Sequence, residues 1–361
     1  MRVIRRVLYS ACALVVIAAV FLWHRSDVRP TIWQPAPLPA LDGPFTVTDA
    51  ATLIHARFLS VPALGPEDVA SNTQGTIFTG LANGQIVQIK PEAIAAEPFV
   101  NTGGRPLGLQ FTHQGDLLVA DAARGLLSIT PDGALTVMTS EVDGVALTLT
   151  DDLDIAEDGS VWFTDASQRF GLDDWIKDLL EASFTGRLLR FDPATGNTTV
   201  AMDGLHFANG VALGPDEQFV LVSETGTGRI HRLWLKTERA GERDIFYDGL
   251  PGHPDNLSFN GHDTFWVALP GLRSVARERS SGSIWLRRLL GGLASTTLIP
   301  HSPHTLVVGL DVNGEVTHFI ADIHDQFSSV TSVNQVGDVL HLGSLTADRI
   351  AVVPVPAPLK P

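Results

Sequence analysis

The sequence predicts an all-β fold, a six-bladed β-propeller that follows an N-terminal transmembrane helix. Three observations support it: a repeated pair of short strands, turn residues spread along the chain, and a basic-then-apolar N-terminus. The 361 residues include 33 glycines and 22 prolines, which are scattered as expected for many short strands joined by tight turns. Hydrophobic residues make up 44% of the chain and charged residues 18%, so a large core can be buried.

The N-terminus predicts a membrane anchor. Three arginines within the first six residues precede an uninterrupted apolar run from Val7 to Trp23, near the short end of the about 17–25 residues that a spanning helix needs. The bulky end of this run is a poor cleavage site, so we favour an uncleaved signal anchor over a cleaved signal peptide. The positive-inside rule then keeps the N-terminus cytoplasmic and exports the rest. We divide the chain into an anchor (1–25), a proline-rich spacer (26–44) and a propeller (45–361).

The propeller prediction rests on an internal repeat. A glycine turn, a strand of alternating apolar and small residues, a short loop and a second strand recur at roughly 40–60-residue spacing, which is the size of a propeller blade. The repeats lie at 76–90, 116–130, 160–165 with 186–191, 219–235, 263–269 and 338–353. Two insertions, 172–184 and about 273–300, have helical character. They either pack over a blade end or form a lid or a membrane-touching surface.

Composition and missing motifs exclude several functions. A net charge of −15 repels the phosphate backbone of nucleic acids. The one cysteine, Cys12, lies in the apolar N-terminal run, so the propeller contains no disulfide and no cysteine-based metal site. The sequence also lacks a GxSxG nucleophile elbow, a HExxH zinc motif and a phosphate-binding P-loop.

Polar side chains recur just before the first strand of successive repeats. They are Glu67, Asp151, Asn209 and Asp255. The innermost strands of a propeller line its axis, so equivalent positions converge there. Four or five oxygen ligands suit calcium, although another divalent ion remains open. Taken singly, each has a structural alternative; Asn209-Gly210, for example, is a common hairpin turn. Recurrence at one position of the repeat favours the metal site.

Three histidines lie close to these positions in the sequence. His206, His253 and His304 are candidates to line the mouth of the pocket, although for any one of them a structural role in the core or at the surface is the favoured interpretation.

Several motifs resemble a known superfamily. They are GPEDVA at 65–70, GRPLGLQF at 104–111, DDLDIAEDGSVWFTD at 151–165, DGLHFANGVALGPDEQFVLVSET at 203–225 and LPGHPDNLSF at 250–259. At these motifs the chain resembles the strictosidine synthase-like branch of calcium-dependent propellers, related to the SMP-30/gluconolactonase and paraoxonase-type lactonases. The N-terminal anchor is similar to that of membrane-tethered, adipocyte-type members.

The resemblance implies a ligand set and two departures from it. It assigns metal ligation to Glu67, Asn209 and Asp255, with Asn256 as a further contact, and places the acid Asp151 where the family has asparagine. Leu107 stands where paraoxonases carry a histidine. Residues 327–336 lack the glutamate of the alkaloid-condensing plant enzymes, so strictosidine synthase activity is not expected.

We therefore expect a calcium-dependent hydrolase of a lactone or carboxylic ester. The metal would polarise the carbonyl, and Asp255, or as second choice Glu67, would deprotonate the attacking water. The rival hypothesis is a non-catalytic, membrane-tethered propeller that binds a ligand or protein and contains a structural calcium. A calcium-independent enzyme that uses a pocket histidine is a weaker third.

Overall fold

The computed structural model describes residues 2–46, 52–93, 95–294, 302–323 and 327–359. Within these residues, six four-stranded antiparallel sheets and one two-stranded hairpin account for the strands. The six sheets are the blades of a propeller, which confirms the predicted fold.

Each blade runs from an innermost strand to an outermost strand. Blade 1 contains β2 (Val69–Ser71), β3 (Ile77–Gly80), β4 (Gln85–Ile89) and β5 (Glu97–Asn101). Blade 2 contains β6 (Pro106–Phe111), β7 (Leu117–Asp121), β8 (Gly125–Ile129) and β9 (Leu135–Thr139). The hairpin β10 (Glu141–Val142) and β11 (Val145–Ala146) follows. Blade 3 contains β12 (Thr150–Ile155), β13 (Val161–Asp165), β14 (Gly186–Asp192) and β15 (Asn197–Leu205).

The second half repeats this order. Blade 4 contains β16 (Ala208–Leu213), β17 (Phe219–Glu224), β18 (Arg229–Trp234) and β19 (Arg243–Asp248). Blade 5 contains β20 (Leu257–Phe259), β21 (Thr264–Leu269), β22 (His304–Asp311) and β23 (Val316–Ile323). Blade 6 contains β24 (Val330–Val336), β25 (Val339–Ser344), β26 (Arg349–Pro354) and, outermost, β1 (Arg57–Ser60).

The ring is closed by strands from opposite ends of the chain. β1 pairs with β26 in antiparallel register, with Arg57 opposite Val352 and Ser60 opposite Arg349. Three of the second strands, β13, β17 and β21, are buried at every position. A second strand has a neighbouring blade on each face, so both sets of alternating side chains leave water.

Both insertions lie on one face of the ring. The first contains α2 (Trp175–Glu181), and the second contains α3 (Val275–Ser280) and α4 (Ile284–Gly291); residues 295–301 of the second lie outside the described residues. The first insertion follows Asp165, which pairs with Thr150 at the start of the innermost strand β12. The insertions therefore share the face at which the innermost strands begin, and we call it the upper face.

The helix α1 (Arg2–Arg25) precedes the ring. Its segment Ile4–Arg25 has a mean hydropathy of 2.2 and is long and apolar enough to cross a membrane. This agrees with the predicted candidate membrane span.

Residues 26–37, which we call the strap, pack onto the upper face. Val28, Trp33 and Ala36 are buried, so this part of the predicted spacer does not separate the anchor from the ring. The extended backbone offers its carbonyl oxygens to buried arginines, and Arg273 donates to the oxygen of Ala36 at 2.6 Å. Such contacts explain the departure: a proline-rich segment lacks internal hydrogen bonds, and its carbonyls bind wherever cationic donors are positioned.

Candidate metal centre

Three carboxylates meet at the upper end of the axis. One oxygen from each of Glu67, Asp151 and Asp255 lies within 4.8 Å of the others, and we call these residues the axial acids. Each belongs to the start of an innermost strand or to the residues just before it. The structure thus brings together three residues that the sequence assigned to one site. Glu67 and Asp151 are buried, whereas Asp255 is partly exposed.

Two amide side chains complete the site. Asn209 donates a hydrogen bond to Asp255, and Nδ2 of Asn256 lies 3.4 Å from each carboxylate oxygen of Glu67. The carbonyl oxygens of both amides are buried, and neither has a hydrogen-bond partner among the described residues. A buried acceptor without a donor costs about 1–3 kcal/mol. An all-oxygen set with two unpaired carbonyls therefore fits a hard divalent cation.

A glycine beside Asn209 permits the close approach of neighbouring strands. Gly210 lies inside β16 rather than in a hairpin turn, so the turn alternative for Asn209-Gly210 is wrong. A Cβ at Gly210 would lie 2.4 Å from the backbone nitrogen of Leu257 and 2.5 Å from the carbonyl oxygen of Asp255. Only glycine allows the backbones of blades 4 and 5 to meet at this distance.

Hydroxyl groups from one blade hold the ligand residues of the next. Thr164 donates to the carbonyl oxygen of Asn209 at 2.5 Å, and Ser223 donates to that of Asp255 at 2.7 Å. Thr331 donates to that of Glu67 at 2.7 Å. Sequence reasoning missed these residues. The available signal was a threonine or serine near the end of the second strand, in VWFTD and VLVSE.

Electrostatic repulsion among the three carboxylates marks the site. Burial raises the pKa of Glu67 well above its usual range, and the charges of Asp255 and Asp151 raise it further. Burial, then the charge of Asp255, likewise raises the pKa of Asp151. Burial raises the pKa of Asp255 to about 7, opposed by hydrogen bonds from Asn209 and from the backbone of Asn256. The cost of holding three charges here would be relieved by a cation.

One buried arginine, also missed from the sequence, offsets part of this repulsion. The guanidinium of Arg105 donates from Nη1 to the carbonyl oxygen of Gly65 at 2.9 Å. Its charge lowers the pKa of Glu67 and Asp151. With three carboxylates and Arg105 ionised, a divalent cation would bring the site to neutrality.

An apolar cluster lies beside the centre. Leu107, at the start of β6, packs with Phe207 and with Trp175 and Leu179 of α2. The first insertion therefore packs in the same cluster as Leu107, the residue that stands where paraoxonases carry a histidine.

The three histidine candidates have different surroundings. His206 is fully buried, with its ring centroid 5.1 Å from that of Trp33 and 5.2 Å from that of Phe184. Burial lowers the pKa of His206 to about 3 and that of His253 to about 3. His304 begins β22, and burial lowers its pKa too. His206 is shut off from solvent by the strap, whereas His253 and His304 are only half-buried.

A second set of acids follows the axial acids Glu67 and Asp151 by one to three residues in the sequence. Asp68 accepts from the backbone N–H of Leu109 at 2.8 Å, and Asp152 accepts from that of Val211 at 2.9 Å. Asp154 accepts from the backbone N–H of Leu213 at 2.7 Å, on the same strand β16 that carries Val211. Each bond joins two blades, and we call Asp68, Asp152 and Asp154 the interblade acids. They line a cavity at the lower mouth of the axis.

Comparisons with known proteins agree with this architecture. A family model for strictosidine synthase matches residues 151–238, and one for the N-terminal part of strictosidine synthase-like proteins matches residues 43–89. Protein STRICTOSIDINE SYNTHASE-LIKE 4 of Arabidopsis thaliana is 35% identical, over 87% of this chain and 87% of that protein. The adipocyte plasma membrane-associated protein of Salmo salar is 32% identical, over 93% and 86%.

Solved structures share the fold at low identity. A gluconolactonase from Xanthomonas campestris superposes with a TM-score of 0.62 at 19% identity, covering 90% of this chain and all of that one. The calcium-binding protein regucalcin from Agrobacterium tumefaciens gives a TM-score of 0.58 at 12% identity, covering 83% and 93%.

Proposed function

Because this chain belongs to the strictosidine synthase-like family of propellers, we propose that it is a calcium-dependent hydrolase of a lactone or carboxylic ester. The observation that carries the proposal is the convergence of three carboxylates within 4.8 Å, beside two buried amide oxygens without partners. By their names, the gluconolactonase acts on lactones and regucalcin binds calcium. We extend both properties to this chain as a proposal.

Five residues would hold the ion, and one of them would also react. Glu67, Asp151, Asn209, Asp255 and Asn256 would hold a divalent cation, which would supply Lewis acidity to a substrate carbonyl when bound. Asp255 is the axial acid that solvent reaches, so it is our first choice to accept the proton of the attacking water. Glu67 is the second choice, although it is buried. Condensation of an amine with an aldehyde is outside the proposal, because residues 327–336 contain no carboxylate.

One observation favours a second candidate, a binding propeller with a structural calcium. The Leu107 cluster and α2 pack beside the centre, and the strap closes over His206. This cover leaves less room for a substrate than an open mouth would.

The decisive experiment is a turnover assay across lactones and aryl esters, with calcium and after chelation. Turnover that disappears on chelation and returns with calcium supports the hydrolase. Absence of turnover on every substrate, with a calcium-dependent rise in melting temperature, supports the binding propeller instead.

We also propose that α1 is retained as a signal anchor, with the N-terminus cytoplasmic and the propeller exported. The arginines at its start and its apolar length support this orientation. Reporter domains fused directly after Trp23 and after the C-terminus test it. Cytoplasmic signal from either fusion would contradict the exported propeller.

A further inference from the structure

The residues that directly follow α1 pack against the folded ring. The backbone N–H of Ser26 bonds to the carbonyl oxygen of Leu22 at 3.0 Å, and Val28 is completely buried. A Cβ at Gly291, the last residue of α4, would lie 2.6 Å from side-chain atoms of both Ser26 and Val28. Residues directly after α1 are therefore part of the packed structure, and they hold the upper face next to the end of the anchor.

The second insertion packs against the last turn of α1. A Cβ at Gly292 would lie 2.2 Å from the carbonyl oxygen of Leu22. The guanidinium carbon of Arg288 lies 4.6 Å from the ring centroid of Trp23, a cation–π distance. Because α1 is the candidate membrane span, α4 lies where that span leaves the bilayer.

The α3–α4 hairpin, together with Leu293 just after it, exposes six apolar side chains. Their exposed fractions are 50% for Val275, 44% for Ile284, 58% for Trp285, 41% for Leu286, 38% for Leu290 and 51% for Leu293. We call these six residues the apolar hairpin face. Apolar side chains gathered beside one another on a surface mark an interaction site. Trp at the edge of such a surface is typical of contact with the membrane–water interface.

The hairpin is fixed to the ring. Arg287 is buried and donates to the carbonyl oxygens of Leu180 at 3.0 Å and Ser281 at 2.9 Å, as well as to that of Thr31 in the strap. One side chain thus ties α4 to the first insertion and to the strap. The exposed face is held in place by buried contacts rather than carried on a loose loop.

We propose that the apolar hairpin face lies in the interfacial layer of the same bilayer that α1 spans, so that the upper face of the propeller rests on the membrane. Continuity with α1 selects lipid as the occupant, because the anchor and α4 are in contact. The exposed basic side chains Arg25 and Arg279 suit the phosphates of the headgroup layer. This surface faces the membrane whether or not the metal centre is catalytic.

The test uses the full chain in nanodiscs of phosphatidylcholine and phosphatidylglycerol, each loaded with a single copy. In a C12S background, an environment-sensitive nitrobenzoxadiazole dye is attached at I284C, which leaves Trp285 in place. The matched control carries the dye at V336C, an exposed apolar position at the lower mouth. Shallow nitroxide lipids should quench most of the emission at position 284, with a blue shift, and leave position 336 unquenched.

A second variant separates the apolar face from simple proximity to α1. W285D/L290D changes two exposed side chains, so the melting temperature should hold while quenching at position 284 falls severalfold. Equal quenching at positions 284 and 336 would overturn the proposal, and so would unchanged quenching in the double variant. Protection of position 284 that appears only with two copies per disc would assign the face to self-association and overturn it as well.

Discussion

The axial acids and the interblade acids are neighbours in the sequence with different surroundings. Glu67 precedes Asp68, and Asp151 precedes Asp152, and all four are buried. Successive residues of a strand point in opposite directions, so one member of each pair faces the upper centre and the other faces a neighbouring blade. Burial alone therefore does not distinguish a ligand from a structural acid.

A backbone donor from the neighbouring blade makes the distinction. Asp152 accepts from the backbone N–H of Val211 in blade 4 at 2.9 Å and from that of its own neighbour Leu153 at 2.8 Å. Both of its carboxylate oxygens therefore have donors, and one of these bonds joins two blades.

The axial acids instead lie beside one another. The charges of Asp255 and Asp151 raise the pKa of Glu67, and the charge of Asp255 raises the pKa of Asp151. Two nearby amide oxygens, of Asn209 and Asn256, have no donor in the part of the chain that the structure describes. The interblade acids join blades, and the axial acids are arranged for a cation.

The largest effect is expected from Asp255→Ala. Loss of the proposed base should lower turnover by at least about 10²-fold and weaken calcium binding, measured by assay and by titration calorimetry. The melting temperature in chelator should not fall, because one repelling carboxylate has been removed. Full activity in this variant would refute the assignment of the base.

Asp152→Ala should reverse that pattern. It leaves the buried N–H of Val211 without its acceptor, at a cost of about 1–3 kcal/mol in the free energy of unfolding, measured by denaturant titration. Calcium affinity of the folded protein should change much less than in Asp255→Ala. If Asp152→Ala keeps its free energy of unfolding but fails to bind calcium, the distinction between the interblade acids and the axial acids is wrong.

Gly210→Ala tests the close approach of blades 4 and 5 at the centre. The added Cβ must displace backbone 2.4–2.5 Å away, and overpacking of this kind typically costs about 1–3 kcal/mol. Calcium affinity should fall together with the free energy of unfolding. Gly282→Ala is the control, since a Cβ there meets nothing within 4 Å. If Gly210→Ala and Gly282→Ala have the same free energy of unfolding and the same calcium affinity, the close approach of blades 4 and 5 does not require glycine.

The smallest effect is a pH signature of the axial acids in chelator. The pKa of Asp255 is raised to about 7 in the folded state, so the folded form binds more protons than the unfolded form between the normal carboxyl range and about pH 7. Its stability contribution is present at low pH and is lost as pH rises through that window.

Two histidines complicate the raw curve. The pKa values of His206 and His253 are lowered to about 3, so their contribution has the opposite sign and is lost as pH falls. The signature is therefore the difference between wild type and Asp255→Asn, in which the histidines are common to both. Melting temperatures across pH should converge at low pH, with wild type falling further as pH rises. Parallel curves would mean that Asp255 titrates normally.

The sequence predicted the features that depend on local periodicity. Six repeats with period-2 strands gave six blades, and the shared position of Glu67, Asp151 and Asp255 in those repeats predicted their convergence. The features it missed depend on contacts between distant segments. Arg105 lies in the motif GRPLGLQF, but nothing local shows that its charge reaches acids of blades 1 and 3.

The strap shows the same limit. Its prolines indicate an extended segment, and extension is what the structure shows. Whether such a segment projects into solvent or packs against the ring depends on hydrogen-bond donors elsewhere in the chain. Here the donors are the guanidinium groups of Arg273 and Arg287, more than 200 positions away. The position of the upper face against the anchor follows from those contacts.

The closure of blade 6 has a consequence for biosynthesis. The outermost strand β1 emerges from the ribosome soon after the anchor, yet its partner β26 follows the strands of all the other blades. Until then, β1 has an unpaired edge, and such edges invite wrong partners. Contacts this distant in sequence also form slowly. Before β26 emerges, the nascent chain is an open ring that requires protection, and the emergence of β26 is the event that permits the ring to close.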